Sequence, residues 1–266
     1  MSKKVLLGLG IAAVAAVTIG SFGATVLTAK PADTAKRASN GCTLDRRPVS
    51  TTVMLVDFTD APTAANISQL ERIFRDLRQS IPKDGKAIVA LLDVAAESNL
   101  SMALQVCNPG AKNGDFAPRP GPSVQDQRWL QNYYRPFDEA LKAAKTSPTS
   151  SDRSPIMEAI TSLTQRADFD GVIANRKLIV VSDGLQLTPK VYSQFKGGDL
   201  WKSFEKSRLP AMTQADLTNV EVTFVYLLRP EYAQRQTEAH RAFLRRWFES
   251  RGARSLVFRG IREEGS

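Results

Sequence analysis

Histidine occurs once in the 266 residues, at position 240, and cysteine twice, at 42 and 107. A Ser-His-Asp arrangement would have to recruit His240, which falls among Arg241, Arg245 and Arg246 in a helical stretch, on what should be its solvated side. No run of Lys and Arg is long enough to argue nucleic-acid binding. The formal charge of +9, of which Lys3, Lys4 and Lys30 supply three, therefore reads as a solvated basic surface. A phosphate-binding loop is also missing, and an Asp-x-Asp-x-Thr nucleophile fails because Thr59 stands at the second acid position.

Charge is absent from Val5 to Ala29, with Lys3 and Lys4 ahead of the gap and Lys30 after it. That length suffices to cross a bilayer, and the positive flank predicts a cytoplasmic N-terminus with the remainder exported. Residues 1–30 are thus read as an N-terminal transmembrane anchor or a signal segment, 31–50 as a tether and 51–266 as the domain. Cleavage near Ser21-Phe22-Gly23 is the competing reading to a retained anchor. Cys42 follows Ala38-Ser39-Asn40-Gly41, too far from the apolar run for a lipoprotein. Outside the cytoplasm, Cys42 and Cys107 could form a disulfide or remain two independent buried thiols.

What is present is organised around two apolar runs that end in acids. Thr51-Thr52-Val53-Met54-Leu55-Val56 runs into Asp57-Phe58-Thr59-Asp60, and Arg176 to Val181 runs into Ser182-Asp183-Gly184. Runs apolar at nearly every position suit central parallel strands covered on both faces, whose carboxyl ends line a ligand crevice. Between them, Asn66 and Gln69 resemble a helix-start pair, and Ile67, Leu70, Phe74, Leu77 and Ile81 repeat at helical spacing up to Pro82. Residues 87–92 and 101–107 form two strands whose link is too short for a crossover, so they are antiparallel. Trp129, Tyr133, Phe137 and Leu141 mark a sheet-packing helix after a Pro/Gly-rich loop over 108–123. Ser154 caps a helix with Pro155 at its first position and Ile156, Ala159, Ile160 and Leu163 as its stripe. A long insertion to Asp216 carries Tyr192, Phe195, Trp201 and Phe204. Strands over 220–228 and 256–258 flank a helix over 230–251 closed by Gly252. The order predicts an α/β fold: an open, mostly parallel, doubly wound sheet with one antiparallel edge strand, preceded by the N-terminal transmembrane helix.

Asp57-Phe58-Thr59-Asp60-Ala61, Ser154-Pro155-Ile156-Met157-Glu158-Ala159-Ile160 and Val181-Ser182-Asp183-Gly184, in that order, resemble the three elements of the von Willebrand factor A domain's metal-ion-dependent adhesion site. The resemblance runs from about Thr51 to Phe258. It departs at Ala61, where the family has a second hydroxyl. Thr59-Asp60-Ala61-Pro62, Cys107-Asn108-Pro109-Gly110 and the Ser-Pro-Ile stretch also resemble bacterial membrane-anchored proteins of this class, a resemblance that brings no function with it. With the N-terminal segment, it leads to the expectation of a single-pass protein of the bacterial inner membrane with its domain in the periplasm or otherwise outside the cytoplasm.

The resemblance implies a metal site of Asp57, Thr59, Ser154 and Asp183. An all-oxygen set suits Mg²⁺ best, with Ca²⁺ or Mn²⁺ also possible. Metal-free, Asp57 and Asp183 would instead cap helix N-termini. Asp60 is read as a solvated turn residue, with a group supporting the metal ligands as the alternative. If the sheet is ordered as in the family, the second strand lies between the third and the first, so Cys107 ends at the edge from which the first strand enters. Cys42, a short lead ahead of that strand, can then reach it across about 10 Å. The expected function is a protein-binding or assembly module, anchored to the bilayer through residues 5–29, that engages a protein partner through an acidic side chain on the metal and binds no nucleic acid. The alternative is a metal-dependent, phosphoesterase-like hydrolase using Asp57 and Asp183.

Overall fold

The computed structural model describes residues 35–110, 124–146 and 151–260. The predicted membrane span and most of the 108–123 loop lie outside them. Among the described residues no helix is long and apolar enough to cross a membrane.

Six strands form one sheet: β1 (Thr51–Val56), β2 (Lys86–Leu92), β3 (Leu100–Cys107), β4 (Arg176–Ser182), β7 (Val220–Tyr226) and β8 (Ser255–Arg259), in the order β3-β2-β1-β4-β7-β8. Every pairing is parallel except β2 with β3. This is the predicted open α/β sheet with one antiparallel edge. Alternation decides which core each residue enters. Met54 and Val56 point to one face, with Leu70, Phe74 and Leu77 of α1 (Ala64–Ser80) and with Tyr133 and Phe137. Val53 and Leu55 point to the other, with Ile156, Ala159, Ile160 and Leu163 of α4 (Ile156–Thr164) and with Phe243, Leu244 and Trp247 of α7 (Glu238–Ser250). A strand buried on both faces can be apolar throughout, and all six residues of β1 are buried.

The predicted aromatic helix is α2 (Val124–Trp129) and α3 (Arg135–Thr146), joined by a π-helical turn over Leu130–Tyr134. The insertion folds into a two-stranded ribbon, β5 (Leu187–Thr188) with β6 (Tyr192–Ser193), and two short helices, α5 (Leu200–Lys206) and α6 (Leu209–Met212). Its Tyr192 and Phe204 rings pack on Phe243, extending the α7-side core.

Three boundaries differ from expectation, each for a local reason. Helix α1 starts one turn early because Thr63 caps it: the Thr63 hydroxyl accepts from Asn66 N at 3.1 Å and Thr63 N donates to Asn66 Oδ1 at 3.1 Å. Pro155, not Ser154, is the cap residue of α4, because the Ser154 hydroxyl is directed to Asp57 instead. The helix expected over 230–251 is a 3₁₀ turn at Pro230–Tyr232 followed by α7 from Glu238. Between the two, Gln236 is held inward, accepting from Arg229 N at 2.7 Å and donating to Leu227 O at 2.8 Å.

At the end of the sheet where β1 and β2 begin, Cys42 and Cys107 are joined in a disulfide that closes 65 residues of sequence separation. Cys107 pairs with Lys86, the first residue of β2, so the bond lies opposite the acidic strand ends, as the strand directions require. The described part of the expected tether packs against this end. Cys107 N donates to Asn40 O at 2.9 Å, Arg37 and Arg46 pair with Asp84 at 2.7 and 3.0 Å, and Arg47 pairs with Asp170 at 2.9 Å. Asn108 pins the same base, donating to Ile81 O at 2.8 Å and accepting from Trp129 Nε1 at 3.2 Å. In the chain-entropy account a loop of this length stabilises the fold by about 4 kcal/mol. Cys42→Ser/Cys107→Ser should therefore lower the denaturant midpoint and raise the slope, because the unfolded chain is freed to expand; an unchanged midpoint would mean the bond contributes nothing to stability.

Candidate functional site

The carboxyl ends of β1, β4 and β7 lie side by side, and each carries a polar residue just beyond its apolar run. Asp57 follows β1 and is 3% exposed. Its Oδ1 accepts from Thr59 N (3.0 Å) and the Thr59 hydroxyl (2.8 Å), and its Oδ2 accepts from the hydroxyls of Ser154 (3.2 Å) and Ser182 (2.7 Å). Four donors on one carboxylate fix it in place without an external cation.

Asp183 follows β4. Its Oδ1 accepts from Leu185 N at 2.9 Å, and its Oδ2 lies 3.0 Å from Nε of Arg229. Burial, and the Asp57 carboxylate beside it, push Asp183 up to about 7, while the Leu185 amide and Arg229 pull the other way. Gly184 is required at the turn that follows: its φ is +76°, and a Cβ there would lie 3.0 to 3.3 Å from Leu244, His240 and Phe224.

Arg229 is the residue that sequence reasoning missed. It stands three residues beyond β7, and its side chain is 2% exposed. Nη1 donates to Ala61 O at 2.8 Å and Nη2 to Asp60 O at 3.0 Å, so one guanidinium ties together the ends of three adjacent strands. Its Nε contacts Asp183 as an ion pair without the alignment of a hydrogen bond. The rule that singled out Asp57 and Asp183, a polar group just past an apolar strand, applies equally to the 220–228 strand and would have found it.

The predicted residues Asp57, Thr59, Ser154 and Asp183 do come together at one end of the sheet. Thr59, Ser154 and Asp183 line a pocket of about 140 Å³ with Asp60, Arg153, Leu187, Phe195 and Tyr232. Asp60 is therefore half-buried at the pocket, not a solvated turn residue, and burial raises its pKa despite the counteracting Arg229. Phe195 and Tyr232 meet edge to face at 5.3 Å on the rim, and Arg235 stacks over Phe195 at 5.4 Å.

The donor set has the hardness Mg²⁺ prefers, but its bonding does not fit an octahedral ion. Both oxygens of Asp57 are taken by hydroxyl and amide donors, Asp183 already faces a fixed guanidinium, and Ala61 supplies only a carbonyl, which Arg229 occupies. Among the described residues no cluster of three or more His, Cys, Asp and Glu side chains could hold a metal ion.

His240 is fully buried on α7, contrary to the solvated side expected for it. The Arg-rich stretch is one face of an amphipathic helix, and His240 shares the other with Phe243, Leu244 and Trp247. Its Nε2 faces Gly184 O and Gln194 Oε1, both at 3.1 Å, and its Nδ1 faces the Tyr226 hydroxyl. Two acceptors at Nε2 place the proton there, so Nδ1 accepts from Tyr226. It does not line the pocket, and it acts as a structural tie under the Ser182-Asp183-Gly184 turn.

No family model matches the sequence, and no curated protein matches it. In chain path it is similar to a larger set of solved structures, among them the following three. The ArnB paralog VWA2 from Sulfolobus acidocaldarius is 15% identical, over 67% of this chain and 34% of that one, with a TM-score of 0.33. The SpRpn10 VWA domain is 10% identical, over 79% and 87%, with a TM-score of 0.39. The human COPII-coat protein Sec24c is 10% identical, over 83% and 31%, with a TM-score of 0.36. This chain spans about a third of the length of the first and of the third. Similarity of this order carries no partner or activity to it.

Burial lowers the His240 pKa to about 4, with the Gly184 carbonyl opposing. The unfolded chain, with an ordinary value near 6.5, takes up the proton first. The stability this confers is thus complete above about pH 6.5 and lost as pH falls toward 4. Comparing His240→Asn with the unsubstituted chain isolates the effect: their difference in unfolding free energy should narrow across that window. A constant difference would contradict a buried neutral imidazole.

Proposed function

We propose that this chain is a protein-binding module of the von Willebrand A type, held on the outer side of a membrane by residues 5–29, with the strand-end crevice as its recognition surface. The observation that carries the reading is the pocket beyond β1, β4 and β7, where rigid strand ends carry buried polar groups and the loops around them present Asp60, Arg153, Phe195 and Tyr232. A rim of aromatic, acidic and basic side chains over a fixed floor is the composition that recognises a protein side chain. Hydrolysis has no support of this kind. The sole histidine is buried away from the pocket, and the hydroxyls of Thr59, Ser154 and Ser182 donate to Asp57, a carboxylate tied down by four hydrogen bonds. The divalent cation that the resemblance implies is not part of this reading, because Asp183 already faces Arg229.

A photo-crosslinking residue placed at Tyr232 in native membranes should give a discrete adduct with a protein partner. Ser151→Trp, which fills the pocket, should abolish it, and the same probe at Val172, an exposed position before β4, should give none. Adducts of equal yield from both positions, or insensitive to Ser151→Trp, would remove the crevice as the binding surface. For the anchor, carbonate washing should leave the full-length chain in the membrane pellet, and a C-terminal reporter active only outside the cytoplasm should function. Recovery of a shortened soluble chain would favour a cleaved signal segment.

A further inference from the structure

We infer that Arg229 is a built-in replacement for the metal ion that the strand-end motif otherwise implies, so that the site is complete without a divalent cation. Converging carboxylates at neighbouring strand ends need positive charge or donors between them. Here both are supplied by the chain. Asp57 receives four hydrogen bonds from Thr59, Ser154 and Ser182, and Asp183 receives the Leu185 amide and the Arg229 guanidinium.

Arg229 also supplies the organising role that an ion would have at this place. Metal ions at strand ends gather loops by taking oxygen ligands from several of them. The guanidinium gathers the same loops by donating, to the carbonyls of Asp60 and Ala61 after β1 and toward the carboxylate of Asp183 after β4. Its planar fork and permanent charge suit it to three fixed acceptors, where a lysine would present a single point charge. Gln236 locks the arrangement from behind. It accepts from Arg229 N at 2.7 Å and donates to Asp183 O at 3.1 Å, so the backbone of both members of the ion pair is held by one amide.

Ala61 is explained by the same arrangement. A hydroxyl at this position would be a useful metal ligand, whereas the guanidinium requires only the Ala61 carbonyl, and the side chain is exposed. The inference concerns only how the site is held together, and it stands whether or not the crevice binds a protein.

The test is thermal unfolding of the full-length chain, in detergent, in chelator or with millimolar Mg²⁺, Ca²⁺ or Mn²⁺. The unsubstituted chain should melt at the same temperature in all four conditions. Arg229→Gln should lower the melting temperature in chelator by roughly 10 °C, as expected for breaking a buried ion pair. It should regain part of that loss with Mg²⁺ or Mn²⁺, because the vacated position then faces the Asp183 carboxylate and the released carbonyls of Asp60 and Ala61. Arg229→Lys, which keeps the charge and the volume, should fall between the two and remain insensitive to metal. Should Arg229→Gln fail to fold, Arg229→Lys and calorimetric titration of the unsubstituted chain with Mn²⁺ still decide the matter. Saturable Mn²⁺ binding to the unsubstituted chain that Asp57→Ala abolishes would overturn the inference, as would an Arg229→Gln chain as stable as the original.

Discussion

The arrangement at the top of the sheet depends on the contact between Arg229 and Asp183. Burying either charge alone would cost several kcal/mol, and the pair is tolerable only because the remaining guanidinium donors meet the Asp60 and Ala61 carbonyls and the remaining carboxylate oxygen meets the Leu185 amide. The consequence is positional. Three adjacent strands have their exit loops fixed to one side chain, so the pocket floor is set before any partner arrives. If the crevice binds a protein, such preorganisation lowers the ordering cost of that binding.

The rest of the fold keeps this edge in place from two directions. Below it, the α4 and α7 helices and the insertion bury Phe243, Leu244, Trp247, Tyr192 and Phe204 against one face of the sheet. Within that layer His240 Nε2 donates to the Gly184 carbonyl, and Gln194 Oε1 accepts from the same nitrogen and from Gln186 N, bracing the turn that aims Asp183. At the far end the Cys42–Cys107 bond and the arginine pairs with Asp84 fasten residues 36–50 to the base.

Much of this architecture was legible in the sequence because burial on both faces leaves a simple record. Strands such as Val53 to Val56 and Leu178 to Val181 are apolar throughout, and acids just past them mark the strand ends. Asp57 and Asp183 could be named for that reason, Thr59 and Ser154 joined them through the resemblance to the von Willebrand factor A domain, and the antiparallel β2-β3 pair followed from a short connection. Helix edges were less legible, because they depend on which side chain wins a hydrogen bond. Thr63 took the cap of α1 from Asn66, and Ser154 gave up a cap to reach Asp57. His240 was misplaced because charge density along the sequence says little about which helical face a residue shares. Arg229 escaped notice because a lone arginine after a strand looks like surface until its acceptors, 168 and 169 residues away, are brought to it by the fold.

One measurement addresses the internal-cation account directly: a crystal structure of the chain grown in Mn²⁺, read from anomalous difference density at the carboxyl ends of β1 and β4. The account predicts no manganese peak there and an Arg229 guanidinium in contact with Asp183 and the Asp60 and Ala61 carbonyls. A peak about 2.2 Å from an oxygen of Asp57 or Asp183, with Arg229 turned out of the site, would contradict it.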